Sequence, residues 1–355
     1  MSTGNEYDSS QIDSHMSGIE AAELHYLGPK ASFSHLAAIA LTKQGIHMPG
    51  SSKLPPDLIE HDGFNGIGFF ISHDPDHTAA GLLPLEDPDS EPVNEVQTAL
   101  FSKDFVILGE TRFLVRYVLA GVGKLGTVKH VRSHFKGITR GARFINELDL
   151  HPIPTSSTSA AAREVAELGD PEQAALCSLS AAQLYGLNVL THTVGWDPEG
   201  DNRTTFVIIR AHNEAAPKLQ LLESYFRPNE TALVTGIVAP KAPMDENGLH
   251  FAMRYLIDAS NNQIVPRIRG SRSSQAKSVG GDAEYLMTFK GPASVLHEAL
   301  SSEEFKDLTR LKRLGIYPVA TYCEEPIQGL YPDGPPIDLP LIERQEKSVH
   351  TESER

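Results

Sequence analysis

Hydroxyl side chains gather at two places in this 355-residue chain where a strand-like run gives way to a helix-like one. In the first, Gly28-Pro29-Lys30-Ala31-Ser32-Phe33-Ser34-His35, the Gly-Pro pair marks a turn, and Ser32 and Ser34 stand at the helix start. In the second, Thr155-Ser156-Ser157-Thr158-Ser159 precedes AAAREVAEL. A serine or threonine here caps the helix, and the remaining N–H groups of the same helix end attract an anion. One such start needs no explanation beyond a cap. Two of them, both after strands, outline a site for a small anion, because ligands of open α/β sheets collect beyond the carboxyl ends of strands. Five successive hydroxyls exceed what one cap requires, and Ala160, Ala161 and Ala162 permit close approach of a ligand or a neighbouring helix.

Three further groups carry chemical potential. Glu86 closes the run GLLPLE, followed by Asp87 and Pro88; it either orients a hydroxyl or stands as a solvated turn acid. Ser133-His134 ends GTVKHVRSH, where an isolated histidine is more often structural than catalytic. Asn202-Arg203-Thr204-Thr205-Phe206 opens another strand, and Thr204 there can donate a hydrogen bond to a leaving oxygen, although threonine favours strands on its own account. Gly66-Ile67-Gly68 and Gly121-Val122-Gly123 lack the rest of a dinucleotide fingerprint. There is no Walker A lysine loop, HExxH, G-x-S-x-G elbow or compact His/Cys/Asp cluster. Neither a metal nor another cofactor is expected.

The elements that must position these residues are α/β in order. LHYLG, GLLPLE, FVILGETRFLVRYVLAG, GTVKHVRSH, QAALCS and RTTFVIIR read as strands. SHLAAIALTKQG, GITRGARFINE, SSTSAAAREVAEL and SAAQLYGL read as helices, which predicts helices covering a mostly parallel sheet. After a linker at 211–217, ETALVTGIVAP, NGLHFAMRYLIDAS, QIVPRIRGS, AEYLMTFKG, SVLHEALSSEEFKDL and RLKRLGIYP run strand–helix–strand–strand–helix–strand, the ferredoxin-like α+β order. The division is a loose segment at 1–22, a first domain at 23–210, the linker, a second domain at 218–325 and an extended Pro-rich tail at 326–355.

Composition limits the function classes. Forty per cent hydrophobic and 22% charged residues suit a globular chain of about two domains. A formal net charge of −15 argues against a broad nucleic-acid surface, which needs clustered positive charge. Cys177 and Cys323 give no disulfide framework and suit a reducing compartment. The polar start lacks the pattern of a signal peptide, and no apolar run is long enough to span a membrane, so a cytoplasmic protein with no membrane partner is expected.

Taken in order, the motifs resemble those of the prephenate dehydratases. YLGPKASFSHLAA is similar to the family's GP-x-GTFS-x-AA opening, LLPLEDPDSEPVNEVQTAL to its PIENS-x-x-G-x-V loop, and VRSHFKGITRGARFI to its SHPQAL-type segment. NRTTF is similar to N-x-TRF, and RLGIYP to LGSYP, so that the match covers about residues 23–320. The resemblance implies a two-lobed, periplasmic-binding-protein-like catalytic domain followed by an ACT domain that binds phenylalanine, in a homodimer or homotetramer. It implies cofactor-free conversion of prephenate, a small anionic substrate, into phenylpyruvate. By this resemblance Thr204 is the donor to the departing hydroxyl, with Glu86, Ser133 and His134 beside it in the catalytic set. Ser32, Ser34, Ser157, Thr158, Asn202, Thr205, Phe206 and Lys136 would hold the substrate, and Gly248, Leu249, Ser271 and Arg272 the effector.

Departures from the family pattern are specific. Thr205 stands where TRF has Arg, Asp87-Pro88 where ENS has Asn-Ser, Ala31-Ser32 where the opening has Gly-Thr, and Phe135-Lys136 where SHPQ has Pro-Gln. Lys136 and Arg132 are candidates to replace the lost charge. Residues 1–22 are too short for a separate helical chorismate mutase domain. Two other functions compete with dehydration: a non-aromatising decarboxylation of the same substrate, motivated by the lost Arg and the altered ENS stretch, and non-catalytic sensing of a small acid.

Overall fold

The computed structural model describes residues 23–43, 56–75, 78–87, 94–102, 104–195, 202–212, 229–241, 246–273, 283–318 and 321–323. The expected N-terminal segment 1–22, linker residues 213–217 and the tail 326–355 lie outside the described residues.

In chain order the first part runs β1 (Glu23–Leu27), α1 (Phe33–Lys43), β2 (Asp57–His61), α2 (Phe64–His73), β3 (Ala79–Glu86), α3 (Asn94–Ser102) and β4 (Phe105–Leu114). It continues with β5 (Tyr117–Gly121), β6 (His130–Ser133), α4 (Phe135–Arg140), α5 (Ala142–Glu147), β7 (His151–Pro154), α6 (Thr158–Leu168), β8 (Gln173–Cys177), α7 (Leu179–Leu184), β9 (Asn188–Val194) and β10 (Arg203–Ala211). The second part is β11 (Thr231–Pro240), α8 (Glu246–Ala259), β12 (Val265–Ser273), β13 (Ala283–Pro292), α9 (Ala293–Ser301), α10 (Glu303–Leu308) and β14 (Thr309–Pro318), followed by β15 (Thr321–Cys323).

Three sheets result, in the orders β15-β4-β10-β3-β1-β2, β7-β6-β8-β5-β9 and β12-β13-β11-β14. The first two are mixed, which corrects the expectation of a mostly parallel sheet. β1, β2 and β3 pair in parallel, but β10 runs antiparallel to both β3 and β4. The chain leaves the first sheet after β4, builds the second from β5 to β9, and re-enters the first as β10. The second lobe is thus an insertion between two antiparallel strands, and strand order alone does not reveal the direction of return. β4 and β10 are buried along nearly their whole length because both faces of the sheet are covered, which explains their unbroken apolar runs.

The third sheet is antiparallel throughout and has the expected strand–helix–strand–strand–helix–strand order. Alternation on β11 assigns its two faces. Val234 and Val238 join Leu256, Leu296, Phe289 and Phe305 beneath the helices, whereas Leu233 and Ile237 join Leu83, Ile107, Val207 and Ile209 of the first sheet. The two domains therefore share an apolar core. β15 also pairs in parallel with β4, so residues placed at the end of the second domain by sequence lie on the edge of the first sheet. Among the described residues, no helix is long and apolar enough to cross a membrane.

The turn between β1 and α1 ties the two lobes together. Ala31 occupies the left-handed region at φ 62°, after a cis Gly28–Pro29 bond. The Ser159 hydroxyl of α6 donates to the Lys30 carbonyl at 2.5 Å, and Ser178 donates to the Ala31 carbonyl at 2.9 Å. Within the turn, Ser32 Oγ donates to the Leu27 carbonyl at 2.9 Å and accepts from His35 N–H at 3.2 Å, so Ser32 is the helix cap. His35 Nδ1 accepts from Ala31 N–H at 2.9 Å, which requires an unprotonated nitrogen. Burial, reinforced by the Lys30 charge, lowers the His35 pKa to about 4.

A depressed histidine pKa makes the unfolded chain the better proton binder. The stability contributed by neutral His35 is fully present above the ordinary value of 6.5 and is lost as pH falls from there through about 4. Urea unfolding measured across that window should lose roughly 3 kcal/mol on this account. His35→Asn should be less stable at neutral pH and should lack that component; identical pH slopes in the two proteins would refute the assignment.

Candidate functional site

A cleft of about 690 Å³ opens where the two lobes meet. One wall carries the β1–α1 turn with Ser32, Phe33 and Ser34, the end of β3 with Pro84 and Asp87, Glu95 of α3, and Thr204 and Phe206 of β10. The other carries Tyr117 of β5, the start of α4 with His134, Phe135 and Lys136, and the start of α6 with Ser156, Ser157 and Thr158. Both hydroxyl-rich helix starts thus face one cavity, as the sequence pattern predicts. Each start leaves amides without intrahelical partners. Ser32 takes one, and Ser157 takes Ala160 N–H at 2.9 Å.

Thr204 is held from one side. Its hydroxyl donates to Asp87 Oδ2 at 3.0 Å, and the other oxygen, Oδ1, accepts from Arg140 Nη2 at 2.9 Å. Both members of the Asp87–Arg140 pair are nearly buried, so this charge-assisted contact is shielded from water and salt. The carboxylate therefore aims Thr204 and Arg140 neutralises it. Lys136 stands nearby, with burial pushing its pKa down while Asp87 and Glu95 draw it up. Burial and the Lys136 charge also lower His134, which favours a neutral ring whose Nδ1 accepts from Lys136 N–H at 3.4 Å. The cleft thus offers hydroxyl donors, one lysine and a threonine beside a neutralised carboxylate. Among the described residues, no group of His, Cys, Asp and Glu is arranged to hold a metal ion.

Eight of the twelve residues expected at the catalytic and substrate sites line the cleft: Ser32, Ser34, His134, Lys136, Ser157, Thr158, Thr204 and Phe206. The other four do not. Ser133 is fully buried and donates to the Leu176 carbonyl at 2.6 Å, stitching β6 to β8. Asn202 is buried, and its carbonyl accepts from Val115 N–H where the chain crosses between lobes. Thr205 lies between two cleft-facing residues of β10, so strand alternation turns it to the opposite face. Glu86 pairs with Arg269 at 2.6 Å and Arg267 at 3.1 Å, both from the second domain.

Arg132 pairs with Glu164 rather than entering the cleft. In the second domain, Gly248 lies near the start of α8 and Leu249 is in the core. Ser271 and Arg272 lie on β12. Arg272 pairs with Glu284 at 2.6 Å and stacks its guanidinium 5.0 Å from the Phe101 ring centre of α3. Sequence reasoning left out Asp87 as a functional group and did not name Arg140. The signal for Asp87 was its place at a strand end beside the altered ENS stretch. Arg140 gave no local signal, because its partner lies 53 residues away.

A family model described as Prephenate dehydratase matches residues 24–214. The bifunctional chorismate mutase/prephenate dehydratase of Escherichia coli (strain K12) is 29% identical over 192 residues, 53% of this chain and 47% of that protein. This chain spans about half the length of the curated relatives it matches first. Among solved structures, prephenate dehydratase from Arthrobacter aurescens, in complex with L-Phe, is similar with a TM-score of 0.60 at 22% identity over 84% of this chain and 90% of that one. GqqA, described as a novel type of quorum quenching acylase, reaches the same TM-score at 19% identity over 86% of this chain and 98% of that one. Two differently described proteins at one level of likeness establish the fold and leave the chemistry to the site. The matched family region covers more than half of the residues, and on that ground the chain belongs to the prephenate dehydratase family.

Proposed function

We propose that the chain converts prephenate into phenylpyruvate, carbon dioxide and water. The observation that carries this reading is the Thr204 hydroxyl, aimed by the Asp87–Arg140 pair into a cleft whose other walls offer hydroxyls and Lys136. Prephenate bears two carboxylates and a ring hydroxyl. As the ring carboxylate leaves as carbon dioxide, its bonding electrons enter the ring and expel hydroxide, which takes a proton to become water. Thr204 turns its hydrogen from Asp87 to the departing oxygen, stabilising charge that develops in the transition state. The Ser32 proton is already committed to the Leu27 carbonyl, so Ser34, Ser157, Thr158 and Lys136 are the better candidates for the carboxylates.

One observation favours a second reading. In the free protein Thr204 gives its hydrogen to Asp87, a group that only accepts when ionised. If that bond persists with substrate bound, the ring hydroxyl stays, a ring carbon takes the proton, and the product is decarboxylated but not aromatic. Feedback by phenylalanine through Gly248, Leu249, Ser271 and Arg272 is the regulatory part of the proposal. It draws support from the family and from the L-Phe bound by the Arthrobacter aurescens protein, whereas the burial of Leu249 and the pairing of Arg272 weigh against those two as direct contacts.

Prephenate incubated with the pure protein should yield phenylpyruvate, identified by mass and absorbance. Thr204→Ala should lower kcat by about 10²–10³-fold, the cost of losing one well-placed donor, and Thr204→Ser should restore much of it. A non-aromatic decarboxylated product would establish the second reading instead, and binding without turnover would sink both. Lys136→Met should raise KM by roughly tenfold with little change in kcat, because a carboxylate contact made before and during reaction contributes uniform binding. An unchanged KM would remove Lys136 from substrate binding. Titration calorimetry with L-phenylalanine should show saturable heat, and its absence would remove the effector.

A further inference from the structure

Glu86 and Asp87 are consecutive, yet they serve opposite faces of the first sheet. Glu86 stands in register with Thr205, while Asp87 holds Thr204, so two neighbouring pairs on the same two strands point one to the second domain and one to the cleft. Across the domain boundary Arg269 of β12 is 5% exposed and fully engaged. Its Nη1 donates to Glu86 Oε2 at 2.6 Å, its Nη2 to Glu110 Oε2 at 3.1 Å, and its Nε to Thr288 Oγ1 at 3.2 Å. Thr288 shares a hydrogen with Thr235 at 2.8 Å, Thr235 with the Tyr317 hydroxyl at 2.5 Å, and Tyr317 donates to Glu110 at 3.5 Å. The ring of contacts closes on Arg269. Gln97 of α3 adds a hydrogen bond to the Arg269 carbonyl at 2.8 Å, holding the backbone as well.

We propose that Arg269 is a positioning residue for the cleft: by gripping Glu86 from the second domain it fixes the end of β3, and so sets Asp87 and the Thr204 hydroxyl. The inference deepens the proposed dehydratase reading and rests on it for the direction of the kinetic effect. Glu86 has little access to water, so without Arg269 its charge either turns toward solvent or is left to follow Arg267 alone, already 3.1 Å away on a side chain that is 64% exposed. Either movement pulls on the strand end that presents Asp87. Thr204 is held by that same carboxylate, so a small shift of Asp87 re-aims the donor without touching the substrate-binding walls. The expected signature is therefore a change in kcat with KM retained.

Arg269→Met leaves Glu86 and Glu110 without their shared cation and risks misfolding. Glu86→Gln, and the uncharged triple variant Glu86→Gln/Glu110→Gln/Arg269→Met, avoid that fault. Both should fold and lower kcat about tenfold while KM stays within about twofold. Arg269→Lys, which can reach one carboxylate but cannot fork to two, should be intermediate. In an Asp87→Asn background the Glu86→Gln effect should largely vanish, because both changes act on one path. Hydrogen exchange read on peptides covering 79–87 and 203–211 should quicken in the triple variant, with the α8–α9 core of the second domain unchanged. Folded variants with wild-type kcat, additive losses with Asp87→Asn, or unaltered exchange at both peptides would each overturn the proposal. If the unmodified protein does not turn over prephenate, the functional reading fails, and the exchange measurement still decides the clamp.

Discussion

The end of β3 beside the start of β10 is the constraint on which the rest of the molecule depends. Strand alternation forces adjacent residues to opposite faces, so this short stretch cannot serve the cleft without also serving the domain boundary. Glu86 must be neutralised on one side and Asp87 on the other. Each carboxylate meets an arginine from a different part of the fold: Arg269 from the third sheet and Arg140 from the end of α4 in the second lobe. Those two ion pairs, one facing each way, bring three sheets to bear on a single dipeptide. Removing one partner from such a pair costs far more than the pair contributes, because a charge is left buried. The geometry is thus held by the penalty for breaking it rather than by the strength of any one contact.

That arrangement also makes a net charge of −15 compatible with the anionic substrate proposed above. Charges more than about 8 Å away across water are largely screened at physiological salt. What a ligand in the cleft feels is local: Asp87 neutralised by Arg140, Lys136 near Glu95, and two capped helix starts. Selectivity for the proposed anion would then rest on hydroxyls and the lysine.

Much of the fold was legible in the sequence, and the parts that were not share a physical cause. β4, β8, β10 and β11 are interior strands with burial on nearly every residue, and their apolar runs announce them. The strands β2, β7 and β9, which the pattern did not reveal, all lie at sheet edges. DLIEH is buried only at its last residue and HPIP at none, so neither an apolar run nor a clean alternation is required of them. Helix α2 was not named from the sequence, where Gly66-Ile67-Gly68 was weighed only as a dinucleotide fingerprint and two glycines lower helix propensity. It forms because Ile67 and Ile71, one turn apart, are buried against Gly81 of β3. At the site, side chains clustered at helix starts were legible because their local role requires them there. Ser133 and Thr205 were misplaced because one residue along a strand decides the face, and a motif does not carry the register.

Asp87, standing where the motif it resembles has Asn, bears directly on the proposed chemistry. An amide can accept from Thr204 and still donate to a substrate, whereas a carboxylate can only accept. Asp87 therefore positions the hydroxyl as well as an amide would, but competes with the substrate for its hydrogen. Arg140 counters part of that competition by occupying the second oxygen and drawing charge from the first. Whether the hydrogen leaves Asp87 for the substrate depends on how much negative charge gathers on the departing oxygen compared with what remains on the carboxylate. In the proposed reaction the balance between dehydration and simple decarboxylation is set at this one hydrogen bond, and Arg140, by drawing charge from Asp87, tilts it toward dehydration.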